Sequence, residues 1–442
     1  MVKNTVLKIN VVFIGLFIVF GNMVTVGLNL GGGTRVIPIR IGEVLLFLGV
    51  VMVISKYRFC FFNVRHVNLF IIWVVWAFIT VLLNVARYGY SVSQLIFAIL
   101  YPARFLGYIF IVYAISSFMV KCNLEIKSLT NLYILLYVAI CVLGFIQLAL
   151  FPCAIELNEM LIDFGVVIDG YDPHINRLTS TYIDPNFLGS VMVMPIMLTV
   201  STLLSCKKDK IVNLVLLLVQ LIALFLTVSR SGLISVFISF IVFFIINVKL
   251  LKNYIYLKKS LLIGAFMIFI FGAVYFTFNI ELLLRVTGFA GDPSANARFE
   301  NWAVGLEIAS NYFFVGIGYN LLGAYNLVVH GISGAGAYSY GNDSSLLLVW
   351  MTTGIIGLTL YLIFIGFIYD ELFKIRKSND SYVSELANSL IASLTGSLVV
   401  SFFNNLLFYI LWFFPFMLYT CYFIMYYKQK IKVQKAAKDD PD

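Results

Sequence analysis

The sequence predicts an all-α polytopic membrane protein with about twelve membrane-spanning helices. Three observations carry that prediction: a composition too apolar for water, apolar runs of spanning length along the whole chain, and a division of cations between alternate connections. Of 442 residues, 62% are hydrophobic and 12% are charged, whereas water-soluble domains run at roughly 45–50% apolar and about 25% charged. Six cysteines (Cys60, Cys122, Cys141, Cys153, Cys206, Cys421) form no CxxC pair. Only Cys153 falls at an expected outer face, so neither a disulfide framework nor a zinc cluster is expected.

Apolar runs able to cross about 30 Å of hydrocarbon are read at 10–28, 36–55, 67–86, 94–119, 132–152, 187–205, 211–228, 232–248, 260–279, 346–369, 386–403 and 406–427. The second, seventh and eighth are short or broken by glycine and charge. Lys3 and Lys8 precede the first run as in a signal peptide, but no small-x-small cleavage site follows, so the segment is expected to stay. An even number of spans puts both termini on one side. Alternate connections and the termini carry 22 of the 30 cations, which the positive-inside rule makes cytoplasmic. The net charge of +9 is therefore a topology signal, and nothing interleaves basic and aromatic residues as nucleic-acid binding requires. There is no internal repeat and no soluble domain: residues 1–442 read as a single membrane domain with two long outer loops, 153–186 and 280–345, forming its functional face.

The eight other cations are all arginines: Arg35, Arg40, Arg87, Arg104, Arg177, Arg230, Arg285 and Arg298. Each either pairs with an outer acid, reaches a phospholipid headgroup, or binds a phosphate-bearing ligand, for which a planar five-donor guanidinium suits better than an ammonium. Arg40 lies one helical turn before Glu43, a spacing for a local pair. Arg104 follows Pro102 about ten residues into a span, where charge is costly and calls for a function.

Three outer segments join an arginine to specific neighbours. In Arg177-Leu178-Thr179-Ser180-Thr181-Tyr182-Ile183-Asp184-Pro185-Asn186 the Asp-Pro step ends a loop, and Asn186 opens a helix whose amides face a ligand. Ser229-Arg230-Ser231-Gly232 is a tight turn that leaves Arg230 at the membrane lip. Ala297-Arg298-Phe299-Glu300-Asn301-Trp302 begins an amphipathic surface helix with Arg298, Trp302, Leu306 and Ala309 on one apolar face. Gly316-Ile317-Gly318-Tyr319 follows, then Asn342-Asp343-Ser344-Ser345 at the mouth of the tenth span.

These segments, in this order and ahead of Gly354-Ile355-Ile356-Gly357, resemble the Wzy-type O-antigen and capsule polymerases and the related O-antigen ligases. The resemblance covers residues 177–357. It implies a GT-C-like helical fold in the bacterial inner membrane and a glycosyltransferase of surface-polysaccharide or lipopolysaccharide biosynthesis. A saccharide chain would pass from undecaprenyl diphosphate to an acceptor hydroxyl at the outer leaflet, with both termini cytoplasmic. Carried over by motif, Arg177, Arg230 and Arg298 clamp the diphosphate, and converging guanidiniums stabilise such a leaving group without a metal. Asn186 and Tyr319 shape the sugar site; Asp184, Ser229, Glu300, Trp302, Arg104 and Arg40 complete the substrate-binding set. Asp343 is the first candidate for the general base, before Asp184 and Glu300.

No metal and no cofactor is expected. The first outer loop, Gly31 to Arg35, has no acid, and His174 and His330 have no partner at ligand spacing. Ligases of the superfamily carry histidine-asparagine where this chain has Asp343-Ser344, which favours a polymerase. The spacing of an arginine ten residues before a glycine, seen in some polymerases, is not met, since Leu188 stands there and Gly189 follows. A ligase delivering finished polymer, a flippase or transporter, and a scaffold without chemistry are the competing readings. Transporters place ionisable residues near the midplane and often show inverted repeats. The expected partners are undecaprenyl-diphosphate-linked oligosaccharide, membrane lipids and a chain-length regulator.

Overall fold

A computed structural model describes residues 2–22, 25–29, 36–56, 64–90, 92–163, 176–205, 209–248, 293–330 and 342–439. Numbered over those residues, its helices are α1 (Val2–Phe20), α2 (Ile41–Lys56), α3 (Arg65–Tyr88), α4 (Val92–Lys121), α5 (Ile126–Leu150), α6 (Ala154–Asp163), α7 (Pro185–Val191) and α8 (Val193–Ser205). They continue with α9 (Lys210–Leu226), α10 (Arg230–Val248), α11 (Pro293–Asn311), α12 (Leu322–His330), α13 (Ser345–Ile375), α14 (Ser381–Val400) and α15 (Ile410–Asp439). Eight helical segments are long and apolar enough to cross a membrane, and α1, α2 and α9 are shorter apolar helices. The expected all-α polytopic fold is therefore present. Every expected span except the ninth falls on a described helix; 260–279 lies outside the described residues.

The first two spans are displaced from their expected bounds. Helix α1 ends at Phe20, and Thr25–Asn29 (β1) pairs antiparallel with Val36–Arg40 (β2), Thr25 opposite Arg40. The β-branched Thr25, Val26, Val36, Ile37 and Ile39 suit a strand, and Pro38 disfavours a helix interior. Apolarity alone does not separate this ribbon from the helices flanking it.

Helix α15 is the most enclosed of the spans and packs against α4. Around it, α14 lies against α8 and α10, and α13 against α3. Small and hydroxyl-bearing residues let these helices approach closely. A Cβ on Gly396 would stand 2.5 Å from the Ser235 carbonyl oxygen on α10; Ser389 donates to the Met197 carbonyl at 2.9 Å, and Trp412 Nε1 to Ser397 Oγ at 3.0 Å. At one end, lysines pair with acids in Lys428–Glu371 and Lys430–Asp380. At the other end lie Arg40, Arg104, Arg177, Arg230 and Arg298.

Helix α11 is formed as expected, but its packed face differs. Asn301, Gly305, Ile308 and Ala309 are buried, while Leu306 and Phe299 are 51% and 53% exposed. The reason is steric: α11 lies on α13, and a Cβ at Gly305 would come within 2.6 Å of Asn342 Nδ2. Asn301, Gly305, Ile308 and Ala309 face the neighbour, and Phe299 and Leu306 face outward.

Helix α13 is broken at Gly354, whose φ of 67° and ψ of −176° are open only to glycine. The segment after α11 fills the break. Ile317 N and Gly318 N donate to the carbonyls of Met351 and Thr352 at 2.9 Å, and Ile355 N donates to Phe313 O at 2.7 Å. Trp76 Nε1 donates to the Thr353 carbonyl at 2.8 Å. Backbone groups released by the break thus find partners inside the bundle, as an apolar environment demands. The glycines of Gly316-Ile317-Gly318 are explained by this strap, since Gly316 and Gly318 both have positive φ.

Candidate functional site

The loop before α7 sets the first part of the site. Gln147, near the end of α5, accepts from the amides of Thr179 and Ser180 at 3.0 and 3.2 Å, and Leu178 N donates to Leu226 O at 2.8 Å. Arg177 is pinned between them. Its side chain is 7% exposed, with Nε donating to the Thr227 carbonyl at 2.8 Å and Nη2 to Asn186 Oδ1 at 2.9 Å. The expectation that free amides at Asn186 face a ligand is corrected. Asp184 caps α7, its carboxylate accepting from Asn186 N at 2.7 Å and Phe187 N at 3.2 Å. What Asn186 presents is its side chain, toward Arg177.

The serine turn is the second part. Ser229 Oγ accepts from Gly232 N at 3.2 Å, capping α10, and lies 3.3 Å from Ser231 Oγ. Arg230 is the first residue of α10 and half-buried. Helices α7 and α10 cross backbone on backbone: a Cβ on Gly232 would lie 2.7 Å from the Gly189 carbonyl carbon, and one on Gly189 would lie 2.8 Å from Ser229 Cβ. This crossing holds the Arg177 loop beside the serine turn.

The third part is not legible in the sequence. Between α14 and α15 the chain leaves the helix at residues 401–409. Asn404 there donates to Ser231 Oγ at 3.1 Å and Ser190 Oγ at 3.3 Å, and Ser190 donates to the Asn186 carbonyl at 2.7 Å. Asn404 O accepts from Ser345 Oγ at 3.3 Å, and Ser401 O accepts from Ser345 N at 2.7 Å. Asp343, two residues before Ser345, is thereby tied to the serine turn. Asn342 completes the tie, donating to Asn301 O on α11 at 2.8 Å and accepting from Ser344 N at 2.9 Å. Arg298 stands one turn before Asn301, half-buried, while Glu300 is exposed. The structure therefore brings Arg177, Asn186, Ser229 and Arg230, Asp343, and the Arg298 helix onto one polar lattice at one end of the bundle.

Trp302 closes this region with its ring 5.8 Å from Phe403, and its Nε1 is buried without a partner among the described residues. Tyr319 lies elsewhere. Its ring is buried against Trp73 at 5.5 Å and Phe408 at 6.1 Å, while its amide donates to Thr80 Oγ1 at 3.3 Å.

Arg40 and Arg104 form a separate group. Both donate to Oε1 of Glu43, at 3.1 and 2.5 Å, so the local Arg40–Glu43 pair expected from spacing is present with a second arginine on it. Arg40 Nε also donates to Asn22 Oδ1 at 2.7 Å. Asn22 Nδ2 reaches Tyr409 OH at 3.1 Å, and the Tyr409 ring stacks on Phe187 at 4.2 Å. Of the remaining arginines, Arg87 is exposed and lies over the rings of Tyr88 and Tyr312; Arg35 and Arg285 lie outside the described residues.

Residues 214–362 match the family described as O-antigen ligase. Over that segment the chain is similar to the O-antigen ligase family. The matched segment contains Ser229, Arg230, Arg298, Asp343 and the glycines of the strap, whereas Arg177, Asn186, Arg40 and Arg104 precede it. Members of this family are membrane glycosyltransferase-like enzymes. No curated protein matches the chain at a significant level.

Proposed function

We propose that this protein polymerises surface polysaccharide, transferring the growing glycan from undecaprenyl diphosphate to a newly delivered lipid-linked repeat unit at the outer leaflet. The observation that carries the reading is the placement of the segment that bears Asp343. Its neighbours tie it through Asn342–Asn301 to the helix of Arg298 and through Ser345–Asn404 to the turn of Arg230. An acceptor hydroxyl oxygen attacks the anomeric carbon of the donor chain, its proton passing to Asp343. The bond from that carbon to the diphosphate oxygen breaks with inversion, and both bonding electrons leave on undecaprenyl diphosphate. Arg177, Arg230 and Arg298 stabilise the charge that develops there, with Ser229 and Trp302 contributing hydrogen bonds to the ligand. An aspartate where ligases carry histidine supports polymerase.

The second reading, delivery of finished polymer to a lipid A-core acceptor, is favoured by the description of the family itself. One experiment separates them: purified protein in proteoliposomes given radiolabelled lipid-linked repeat units alone. A ladder of lengthening products supports the polymerase. No growth until a lipid A-core acceptor is added makes the protein a ligase, and vectorial movement without any growth makes it a transporter.

A further inference from the structure

Helix α11 does not lie along a membrane surface but descends beside α13. Asn301 O accepts from Asn342 Nδ2 at 2.8 Å, Gly305 sits where a Cβ would come within 2.8 Å of the Leu347 side chain, and Phe313 O accepts from Ile355 N at 2.7 Å. The partners advance in step, so α11 runs parallel to α13, which is long and apolar enough to span. At about 1.5 Å per residue the drop from Asn301 to Phe313 is about 18 Å.

Helix α3 gives the depth independently. It runs antiparallel to α13, with Phe70 against Phe364 and Trp73 against Tyr361, and ends at Tyr88. Gly316 O accepts from Asn84 Nδ2 at 3.2 Å, Tyr319 N donates to Thr80 Oγ1 at 3.3 Å, and the Tyr319 ring reaches Trp73 at 5.5 Å. Thr80 lies about 12 Å before the Tyr88 end of the span. The chain then returns: Tyr325 OH donates to Tyr312 OH at 3.4 Å, and its ring lies 6.0 Å from that of Tyr88. Residues 313–321 therefore enter and leave by the same end.

The side chains along the descent change in the order of a bilayer. Down to Asn311, the exposed face of α11 mixes Leu306 with Glu307, Ser310 and Asn311, as at an interface. Next come Tyr88 and Tyr312, hydroxyl to hydroxyl at 2.7 Å, with Arg87 over both rings; amphipathic rings and a snorkelling arginine belong at headgroup level. Beyond them Phe313 and Phe314 are 42% and 67% exposed and offer nothing to water. Gly316 to Tyr319 are buried, bonded to α3 and α13, which is the condition for non-helical chain at membrane depth.

We propose that residues 313–319 form a re-entrant loop whose Phe313 and Phe314 sit among the acyl chains of outer-leaflet lipids and anchor α11 there. The anchor fixes the height of Arg298, about 22 Å up the same segment, above the acyl layer. The inference stands whether the chain polymerises glycan or ligates it.

The test is photo-crosslinking of the full-length wild-type protein in vesicles of phosphatidylethanolamine and phosphatidylglycerol, doped with phosphatidylcholine carrying a diazirine either mid-chain or on its headgroup. Adducts are mapped by mass spectrometry. The mid-chain probe is expected to label Phe313 or Phe314 at least fivefold more than the headgroup probe, with the reverse at Glu307 and Asn311. Equal labelling by the two probes at Phe313 and Phe314, or none by either, overturns the proposal. So does loss of the mid-chain adducts on adding geranylgeranyl diphosphate, which would give that face to a substrate tail and not to bulk lipid. Anchoring is read separately by amide hydrogen exchange in lipid nanodiscs. Phe313→Ser with Phe314→Ser is expected to speed exchange along α11 at least fivefold, while leucine at both positions keeps the wild-type rates. Unchanged exchange in the serine variant, or equal acceleration in the leucine one, overturns the anchor.

Discussion

Arg177 uses two edges of its guanidinium on the protein itself, Nη2 on Asn186 Oδ1 at 2.9 Å and Nε on the Thr227 carbonyl at 2.8 Å. These acceptors belong to different segments, the start of α7 and the turn before α10. Arg177 is thus both a charge near the serine turn and the link that sets the turn against α7. Lysine keeps the charge, but a point-like ammonium cannot reproduce a planar fork on two divergent acceptors. Arg177→Lys is expected to slow chain growth by about 100-fold, and Asn186→Ala, which removes one acceptor, by about tenfold. Initial rates of ladder formation in proteoliposomes measure both. A lysine variant at the wild-type rate would show that charge alone suffices.

The crossing of Gly189 and Gly232 makes a prediction about stability. At Gly232 an added methyl would meet Gly189 backbone at 2.7 Å, and backbone cannot rotate away. Gly232→Ala is expected to cost about 1–3 kcal/mol and to lower Tm in detergent. At Gly366, on α13, an added methyl would meet nothing within 4 Å, so Gly366→Ala is expected to leave Tm unchanged or raise it, by at most about 1 kcal/mol. Equal effects at the two glycines would remove the crossing as the explanation.

What is legible in the sequence follows from range. The spans can be read because twenty apolar residues declare themselves locally, and Arg40–Glu43 because its partners are one turn apart. Arg104 on the same carboxylate is 61 positions away, so only the fold pairs them. Asn404 gives no signal, lying between two apolar runs that read as nearly continuous, yet it joins Ser190, Ser231 and Ser345. The packed face of α11 differs from the expected one because close approach to α13 selects the helix face that carries Gly305, a long-range constraint absent from the local apolar pattern. The glycines at 316, 318 and 354 are visible, but what they do depends on a strap entering a broken helix.

Asp343 and Asn342 are neighbours with separable roles. Asp343→Asn keeps shape and removes the proton acceptor; it is expected to abolish polymer growth, by at least about 100-fold, with Tm unchanged. Asn342→Ala leaves Ser344 N and Asn301 O without the side chain that pairs them and is expected to cost about 1–3 kcal/mol, lowering Tm and rate together. Full activity in Asp343→Asn would dismiss Asp343 as the base.

At the lysine-rich end, Asp380 caps α14 and accepts from Lys430 at 2.9 Å. Burial lifts its carboxyl, but the Lys430 bond and the amides of Tyr382 and Val383 outweigh that and hold it below the usual aspartate range. A depressed folded value gives stabilisation that is complete above the unfolded value and lost as pH falls through the folded one. Both side chains are 40–41% exposed, so the pair contributes at most about 1 kcal/mol. Asp380→Asn should lower Tm slightly at pH 7 and by progressively less as pH falls below the usual aspartate range; an equal loss throughout would leave the charge without a role.

The break in α13 couples stability to the site. Gly354 sits where an alanine Cβ would lie 2.1 Å from Phe314 O, so Gly354→Ala must expel the strap or rejoin the helix, and either costs more than about 3 kcal/mol. A gentler probe is Trp76→Phe, which removes the Nε1 bond to Thr353 O together with part of the indole's packing and is expected to cost about 1–3 kcal/mol. The strap leads out of α11, the helix of Arg298, and ends on the helix whose first turn follows Asp343. Loosening it lets those two groups drift relative to each other. Trp76→Phe should therefore lower the rate of chain growth by several-fold more than a variant of equal Tm loss at a distant core position, such as Ser389→Ala, whose hydroxyl donates to Met197 O. Equal rates at equal Tm would confine the strap to holding the fold.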